Sequence, residues 1–439
     1  MFTLVAALMI MTILSMALFQ TQISSPAYED TTSRMSLDEL HYYVEALKKD
    51  TERAIAISSQ RAATYATNHA INTNETFRNY GMKNCTQFTY YTNGSEAAIA
   101  ELMVCGRLAN AKMDAQDVEK YMEDNTVEGW MQKIYTNPPG EVPYNVSMRL
   151  RNMSMALYDS WHYIIFSDVD ITVVDESNNN RYSGQGIPIS SVVDFSSAED
   201  PMYSVRFGIP QAIRQYNRCE MRRPVNGTTL DGWIDEGCYN SVKPDYNAPS
   251  FFDRLEGRNN LSTASLSRYS NALKSLNYSL TDIGLESMAN LDLLDRYNVT
   301  VNYNLTQVDY LYWSGQRSAC SVEGMSAHPN FRIDFDHARE YGIEGLNCEV
   351  YVKQATAGSD FDYFEPTRID NLPAGTKLTW VEATGTITHT LHWNSKTGQG
   401  EGVLEPSSRL TWLFNQTGEY VVTSTPSTGS YGVFYLQVT

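Results

Sequence analysis

The stretch PAGTKLTW at residues 373–380 opens a run of short segments, each rich in β-forming residues and each bounded by turn residues. The run continues with HTL (389–391), LEP (404–406), LF (413–414), GEY (418–420) and VFYLQV (433–438). Short strands separated by turn signals are typical of two packed sheets. The sequence therefore predicts a β-sandwich from Glu349 on, with a domain over residues 351–439.

The order of these segments resembles a cupredoxin, the plastocyanin-like sandwich, nearly end to end. The resemblance implies a copper-ligating histidine at His389, a cysteine near Ser424 and a second histidine near Ser427. It also implies an axial methionine, but no methionine follows Met325. Because a blue-copper site needs a thiolate and two imidazoles, we predict a cupredoxin-like fold without type 1 copper and without any other cofactor.

His389 and His392 form an HxxH pair. Residues three apart on a strand point to opposite faces of the sheet, so we favour surface or half-buried histidines over a zinc site.

The glycine run at 398–402 is predicted to be a turn, because no helix follows it to receive a phosphate. The acidic pairs at 168 and 170 and at 334 and 336 indicate a solvated surface more than a calcium site.

The sequence lacks the short motifs of several common enzyme classes. No GxSxG, HExxH or P-loop sequence occurs. We therefore predict a protein that is not an enzyme, with no catalytic, cofactor-binding or metal-binding residues.

The chain is acidic: it has 33 Lys and Arg against 51 Asp and Glu, a formal net charge of −18. Such an acidic chain lacks the basic surface that binds nucleic acid.

The other end of the chain is apolar. Residues 1–19, MFTLVAALMIMTILSMALF, contain no charge, glycine or proline. As a helix they would span roughly 28 Å, about one bilayer core. Ser36 and Glu39 read as a capping box, and apolar residues follow at helical spacing to about residue 72. We predict a long helix over 1–72, first apolar and then amphipathic, and a buried core helix is the alternative for its first part.

This end resembles a mature type IV pilin over about 70 residues, through Phe2-Thr3-Leu4, the apolar helix, Pro26 and the amphipathic continuation. In that family a peptidase removes a short basic leader, and the apolar half-helix enters the membrane and then the filament core. The resemblance implies that residues 1–19 pack against other pilin subunits or membrane lipid. An uncleaved anchor is the other account. Most bacterial pilins have Glu at the fifth mature position, and Val5 here favours an archaeal or a tip-forming minor pilin.

Asn-X-Ser/Thr sequons occur eleven times, about twice the number expected by chance in an Asn-rich chain. One interpretation is an N-glycosylated ectodomain, and the other is a polar, Asn-rich surface. The candidate glycosylation sites are Asn74, Asn84, Asn93, Asn145, Asn152, Asn226, Asn260, Asn277, Asn298, Asn304 and Asn415.

Six cysteines fall into three local pairs, none of them in a CxxC motif. Fifteen connectivities are open, and free buried cysteines are a further alternative. Nearest-neighbour pairing is the simplest, and it predicts the disulfides Cys85–Cys105, Cys219–Cys238 and Cys320–Cys348.

Residues 73–350 mix both kinds of pattern. Helices are predicted near 96–108 and 115–136, and aromatic and β-branched residues predict a β-rich block over 144–195. Farther on, helical spacing covers 266–276 and 281–297, and strand-like residues cover 299–305 and 308–313. These patterns predict an α+β head.

Taken together, the predicted fold class is α+β: a long pilin-like helix (1–72), a mixed head (73–350) and an all-β cupredoxin-like sandwich (351–439). The predicted function is that of an extracellular, pilin-like structural or adhesive glycoprotein, a minor or tip subunit with a surface or glycan ligand. The alternative is a monomeric, single-pass, membrane-anchored glycoprotein whose sandwich binds a ligand or transfers electrons.

Overall fold

The computed structural model describes a chain of helices and sheets that divides into two compact units. Unit 1 comprises 1–69, 77–195 and 268–279, and unit 2 comprises 70–76, 196–267 and 280–439. The described residues are 2–82, 93–108, 122, 125–136, 144–177, 180–209, 215–221, 224–315, 320–354, 362–383, 385, 387–426 and 432–439, without the side chains of 2–10, 12–35, 354 and 362. The predicted mixture of helix and strand is confirmed. The domain boundaries drawn from the sequence stay a prediction.

Ten helices lie in the described residues. They are α1 (Phe2–Thr73), α2 (Ser95–Cys105), α3 (Val127–Thr136), α4 (Met202–Phe207), α5 (Gly227–Glu236), α6 (Phe251–Leu255), α7 (Thr263–Lys274), α8 (Leu291–Arg296), α9 (Tyr310–Trp313) and α10 (Phe335–Tyr341).

Fifteen strands lie in the same residues. They are β1 (Tyr144–Leu157), β2 (His162–Asp175), β3 (Arg181–Asp194), β4 (Tyr239–Val242), β5 (Gly284–Ser287), β6 (Ser321–Val322), β7 (Leu346–Gln354), β8 (Asp362–Glu365), β9 (Arg368–Leu372), β10 (Thr376–Glu382), β11 (His389–Ser395), β12 (Gly398–Leu404), β13 (Arg409–Phe414), β14 (Gly418–Pro426) and β15 (Gly432–Val438).

Unit 1 packs α1 onto the antiparallel sheet β1-β2-β3. The buried Tyr163 of β2 lies 2.6 Å from Ser59, hydroxyl to hydroxyl. The hydroxyl of Ser191 in β3 donates to the carbonyl of Glu52 over 2.6 Å. The amphipathic pattern predicted from the sequence marks a buried face of α1, since the following residues are all buried: Leu40, Val44, Leu47, Thr51, Ala54, Ala62 and Ala66.

The predicted capping box at Ser36 is wrong. The helix runs through Ser36 from Phe2, so carbonyls of the preceding turn already accept the amide protons that a cap would satisfy. The Ser36 hydroxyl instead lies 3.3 Å from a carboxylate oxygen of Asp175 at the end of β2. Leu37, counted with the buried face, is 49% exposed.

No helix in the described residues combines the length and apolar character needed to cross a membrane. Except for Met11, the side chains of 1–19 lie outside the described set. The prediction of an apolar membrane or filament-core segment at 1–19 therefore concerns side chains outside the described residues.

Unit 2 contains the β-sandwich. One sheet has the order β13-β10-β7-β6, with β8 also paired to β7, and the other has the order β12-β11-β14-β15-β9. Most neighbours are antiparallel, but β10 and β7, and likewise β15 and β9, run parallel. The ring of Trp380 lies 5.1 Å from that of Phe434 in the shared core. This core continues to Cys219, Trp233 and Phe331, upstream of the sandwich.

The glycine run at 398–402 is a strand, and the predicted turn is wrong. Gly400 and Gly402 face inward, where a Cβ on Gly400 would collide with the indole of Trp393 and one on Gly402 would lie 2.6 Å from Leu410. Glycine in a strand often marks a close approach of another group. Here the glycines leave room for large side chains at the sandwich edge.

Three predicted elements between 281 and 313 are also wrong. Where a helix was predicted over 281–297, β5 comes first and α8 follows. The expected strand over 308–313 is the short helix α9, and 299–305 contains no strand. Asp309, just before α9, is fully buried and pairs with Arg254. This ion pair joins residues that are far apart in sequence. The local sequence pattern therefore does not predict the backbone conformation at Asp309.

Candidate functional site

His389 lies inside the sandwich. Its backbone in β11 pairs with Leu404 on one side and Pro426 on the other, and its side chain is fully buried. The sequence predicted a surface or half-buried histidine here, which is wrong. The inward face of β11 is covered by the opposite sheet, and His389 shares that face with Leu391.

Ser424 lies beside His389. The two belong to the neighbouring strands β14 and β11, and the Ser424 hydroxyl oxygen is 3.3 Å from Nδ1 of His389. Ser424 is as fully buried as the histidine. The positions that the cupredoxin resemblance implied for a histidine and a cysteine thus meet in space. Ser427, the position implied for the second histidine, lies outside the described residues.

Glu382, at the end of β10, closes the site from the opposite sheet. One of its carboxylate oxygens lies 3.8 Å from Nε2 of His389. The other accepts hydrogen bonds from the backbone amides of Gly385, over 2.5 Å, and Ser407, over 3.0 Å. The sequence reasoning missed Glu382. Its signal was the alternation of Leu378, Trp380 and Glu382 on one face of β10.

Glu382, His389 and Ser424, here named the interior site, do not fit a blue-copper centre. They offer a carboxylate, one imidazole and a hydroxyl, whereas type 1 copper takes a thiolate and two imidazoles. Nowhere in the described residues do three or more His, Cys, Asp or Glu side chains gather so as to hold a metal ion. This geometry brings three buried polar groups together: the Ser424 hydroxyl is within hydrogen-bonding distance of Nδ1, and the Glu382 carboxylate faces Nε2 at 3.8 Å.

His392 lies on the other face of β11, so the HxxH pair is divided as strand geometry predicts. Its side chain is 46% exposed, and Nδ1 lies 3.5 Å from a carboxylate oxygen of Glu401 on β12.

The neighbours of His392 form two rows across four strands, and we name these eight residues the outer ladder. Strand pairing sets both rows. One row contains Gln399, Asn394, Val421 and Tyr435, and the other contains Glu401, His392, Thr423 and Val433. Seven of the eight side chains are exposed, and Thr423 is half-buried.

A groove of about 810 Å³ lies over the outer ladder. Its lining includes six ladder residues together with Lys396 and Glu419. Amide, hydroxyl, imidazole and carboxylate groups all face it. A groove lined by several hydrogen-bonding groups beside apolar side chains is a candidate ligand site.

Two of the three predicted disulfides are present, Cys219–Cys238 and Cys320–Cys348. Cys105 is also disulfide-bonded, and its predicted partner Cys85 lies outside the described residues. Every cysteine among the described residues is therefore in a disulfide.

The sequon asparagines are all on the surface wherever they are described. Ten of the eleven lie in the described residues, and all ten are exposed. Of the sixteen other described asparagines, only eight are exposed. Asn84 lies outside the described residues. Among the described residues, sequon asparagines are therefore exposed more often than the other asparagines.

A second buried histidine in unit 2 was not anticipated. His337 of α10 lies between two carboxylates, with Nε2 2.7 Å from Glu286 and Nδ1 2.8 Å from Asp334. Burial alone would lower the pKa of His337, but the two carboxylates outweigh burial and raise the pKa to about 10. Asp334 also accepts from the amides of Asp336 and His337, so it caps α10, whereas the sequence predicted a solvated surface.

Comparison with solved structures finds cupredoxins. A pseudoazurin from Hyphomicrobium denitrificans is 18% identical, with 21% of this chain and 74% of that chain covered and a TM-score of 0.18. A mutant amicyanin in the Cu(I) form is 13% identical, with 21% and 82% covered and a TM-score of 0.16. A copper-containing nitrite reductase from Thermus scotoductus SA-01 is 21% identical, with 22% and 23% covered and a TM-score of 0.17.

These likenesses concern about a fifth of the chain, at TM-scores too low to carry a functional conclusion. No protein-family model matches the chain, and no curated protein matches it.

Proposed function

We propose that this chain is an extracellular, N-glycosylated structural and adhesive protein of the cell surface, and not an enzyme. The proposal rests mainly on one observation: all ten described sequon asparagines are exposed, whereas only half of the other described asparagines are. Attachment of a glycan needs an asparagine that stays accessible and outside the core. A merely Asn-rich surface would give sequon and non-sequon asparagines the same exposure.

The disulfides support the same compartment. Cys219–Cys238 and Cys320–Cys348 both lie in unit 2, and disulfides persist in oxidising environments outside the cytosol. Peptide mapping without reduction tests this point: we expect all six cysteines in disulfides, including Cys85–Cys105. Free thiols at these positions would place the chain in a reducing compartment.

We assign to residues 1–19 the attachment of the chain to a filament or to the membrane. The pilin resemblance and their apolar character support packing against other pilin subunits or membrane lipid. In unit 1, the contacts of Ser36, Glu52 and Ser59 with the sheet fix the later part of α1. We propose a minor or tip subunit, because residues 1–19 contain no carboxylate that could neutralise a neighbour's terminal amine.

The sandwich is assigned a cupredoxin-like fold whose role is display and recognition. The interior site lacks the thiolate that electron transfer through blue copper would need. This disfavours the electron-transfer form of the alternative and leaves a ligand-binding surface as the role of the domain.

Mass spectrometry of the native protein tests the proposal. We expect glycans on several sequon asparagines and a mature N-terminus at the apolar segment. Glycan-free asparagines at every sequon would overturn the glycoprotein assignment.

Proteomics of sheared filaments tests the assembly. We expect this chain among the less abundant subunits, and a version lacking residues 1–25 should be soluble and absent from filaments. A full-length protein that is always monomeric in mild detergent would favour the single-pass anchored alternative. A chain that is the most abundant subunit would contradict the tip assignment.

A further inference from the structure

We propose that the outer ladder of the sandwich binds neutral carbohydrate. This inference rests on the proposed surface function and adds to it a site and a class of ligand. The site is the groove of about 810 Å³ over β12, β11 and β14, together with Tyr435 of β15, which continues the ladder beyond the groove lining.

The hydrogen-bonding groups of the groove suit a sugar. Asn394 and Gln399 stand opposite each other on β11 and β12, and both side chains are exposed. Each amide offers two donors and an acceptor, and a sugar hydroxyl both donates and accepts. Glu401 and Thr423, on either side of His392, add two more acceptors and a donor. A row of such groups can engage neighbouring hydroxyls of one ring.

An aromatic side chain continues the row that holds the two amides. Tyr435 is opposite Val421, which in turn is opposite Asn394. Tyr435 is 52% exposed and Val421 is 37% exposed. Neighbouring strands lie about 4.8 Å apart, which places Tyr435 about 10 Å from Asn394. The electron-rich face of an aromatic ring attracts the C–H face of a sugar ring, so amides and ring together span about two sugar units.

The charge of the groove favours a neutral ligand. Among its lining residues Lys396 is the one Lys or Arg, and Glu401 and Glu419 are acidic. An anionic polymer such as a sulfated glycan would meet no cluster of cations here. The described groove therefore matches a ligand that relies on hydrogen bonds and ring contacts.

The sequons leave this face bare. None of the five strands of the sheet carries a sequon asparagine, and Asn415 lies in the turn between β13 and β14. The other ten sequons all lie at or before Asn304. A glycan attached on the ladder itself would cover the groove, and no sequon directs one to these strands.

Affinity electrophoresis of the full-length protein tests the proposal. The gels contain yeast mannan, amylopectin or galactomannan as neutral probes, and heparin or polygalacturonate as anionic probes. The variants are N394A with Q399A, and Y435A. Y363A is the matched control, because Tyr363 lies on β8 of the other sheet and is 40% exposed.

We expect at least one neutral polysaccharide to retard the wild-type protein, and both ladder variants to weaken that retardation about tenfold or more. Y363A should bind as the wild type does. No retardation by any neutral probe, or retardation by the anionic probes alone, would overturn the ligand class. Equal weakening in Y363A would overturn the site. Hydrogen exchange of β11 and β14 shows whether the variants stay folded, and none of these outcomes alters the glycan or N-terminal test of the surface function.

Discussion

On the inner face of β11, His389 is fully buried between Ser424 and Glu382. On the outer face, three residues later, His392 is 46% exposed and faces Glu401. The same side chain on one strand is a packed polar group in the first position and an accessible one in the second. Burial confines the first to partners of fixed geometry, whereas the second can exchange water for a ligand.

This difference indicates that the outer face of a β-sandwich tolerates more variation in its side chains than the inner face does. The interior site brings together two of the positions that the cupredoxin resemblance implied, His389 and Ser424, and the second holds a hydroxyl where a thiolate was implied. The outer ladder presents a mixture of amide, hydroxyl, imidazole and aromatic groups. In this chain we therefore look for recognition on the outer face.

Replacing each histidine by alanine tests the comparison most strongly. H389A removes a fully buried ring and leaves Ser424 and Glu382 without it, so we expect the sandwich to lose about 3–4 kcal/mol. H392A should change stability by less than about 0.5 kcal/mol. Hydrogen exchange of the β11 and β14 amides in the full chain measures both local values. Equal effects of the two variants would remove the distinction between the faces.

A third histidine sharpens the comparison, because His337 is buried and charged. Its folded pKa, about 10, lies above the ordinary 6.5. The protonated ring therefore contributes its full stability below pH 6.5, and the contribution is lost as pH rises toward 10. Because the folded ring loses its proton only near pH 10, we expect unit 2 to lose about 2–3 kcal/mol between pH 7 and 9.

Hydrogen exchange of the α10 amides at these pH values, compared with H337Q, measures the loss. A wild-type stability that does not fall more steeply with pH than that of H337Q would contradict the charged assignment of His337.

Two glycines of β12 test how tightly the interior is packed. G400A places a methyl group against the indole of Trp393, whereas a Cβ on Gly398 would come no closer than 3.5 Å to that ring. We expect G400A to cost about 1–2 kcal/mol and G398A to cost only a few tenths. Thermal unfolding followed by tryptophan fluorescence compares the two. A G398A effect as large as that of G400A would mean that strand propensity, not the indole, decides this edge.

The smallest expected effect is that of added copper. His389 and His392 each offer one imidazole, and they are separated by the sheet, so Cu(II) should bind no better than to any exposed histidine. We expect the protein to stay colourless with one equivalent of copper and its melting temperature to be unchanged. An intense copper–thiolate absorption would reveal a ligand outside the described residues and would restore the electron-transfer alternative.

Much of the sandwich could be predicted from the sequence, because its strands carry their own signals. Alternating and β-branched residues at 376–382 and 432–438, with turn residues between strands, mark the elements directly. The amphipathic part of α1 could also be predicted from its helical spacing, since Leu40, Val44 and Leu47 are buried. The division of His389 and His392 between two faces followed from strand geometry alone.

The errors concern residues whose state depends on a distant partner. Gly400 is predicted to lie in a turn, but the space that its side chain would fill is taken by the indole of Trp393 on the paired strand β11. The backbone at Asp309 is fixed by Arg254, 55 residues away. Glu382 was missed because its partners are a histidine on the opposite sheet and two loop amides. Local pattern does not contain such contacts.

The parallel pairing of β9 with β15 has a consequence for synthesis. β9 ends at Leu372, and the strand that pairs with it begins at Gly432, about 60 residues later along the chain. At a translation rate of about 5–20 residues per second, β15 begins to be synthesised roughly 3–12 s after β9 is complete. A newly made chain therefore exposes an unpaired strand during that interval, and slow elongation between these strands would lengthen the period in which chaperones or neighbouring chains can occupy it.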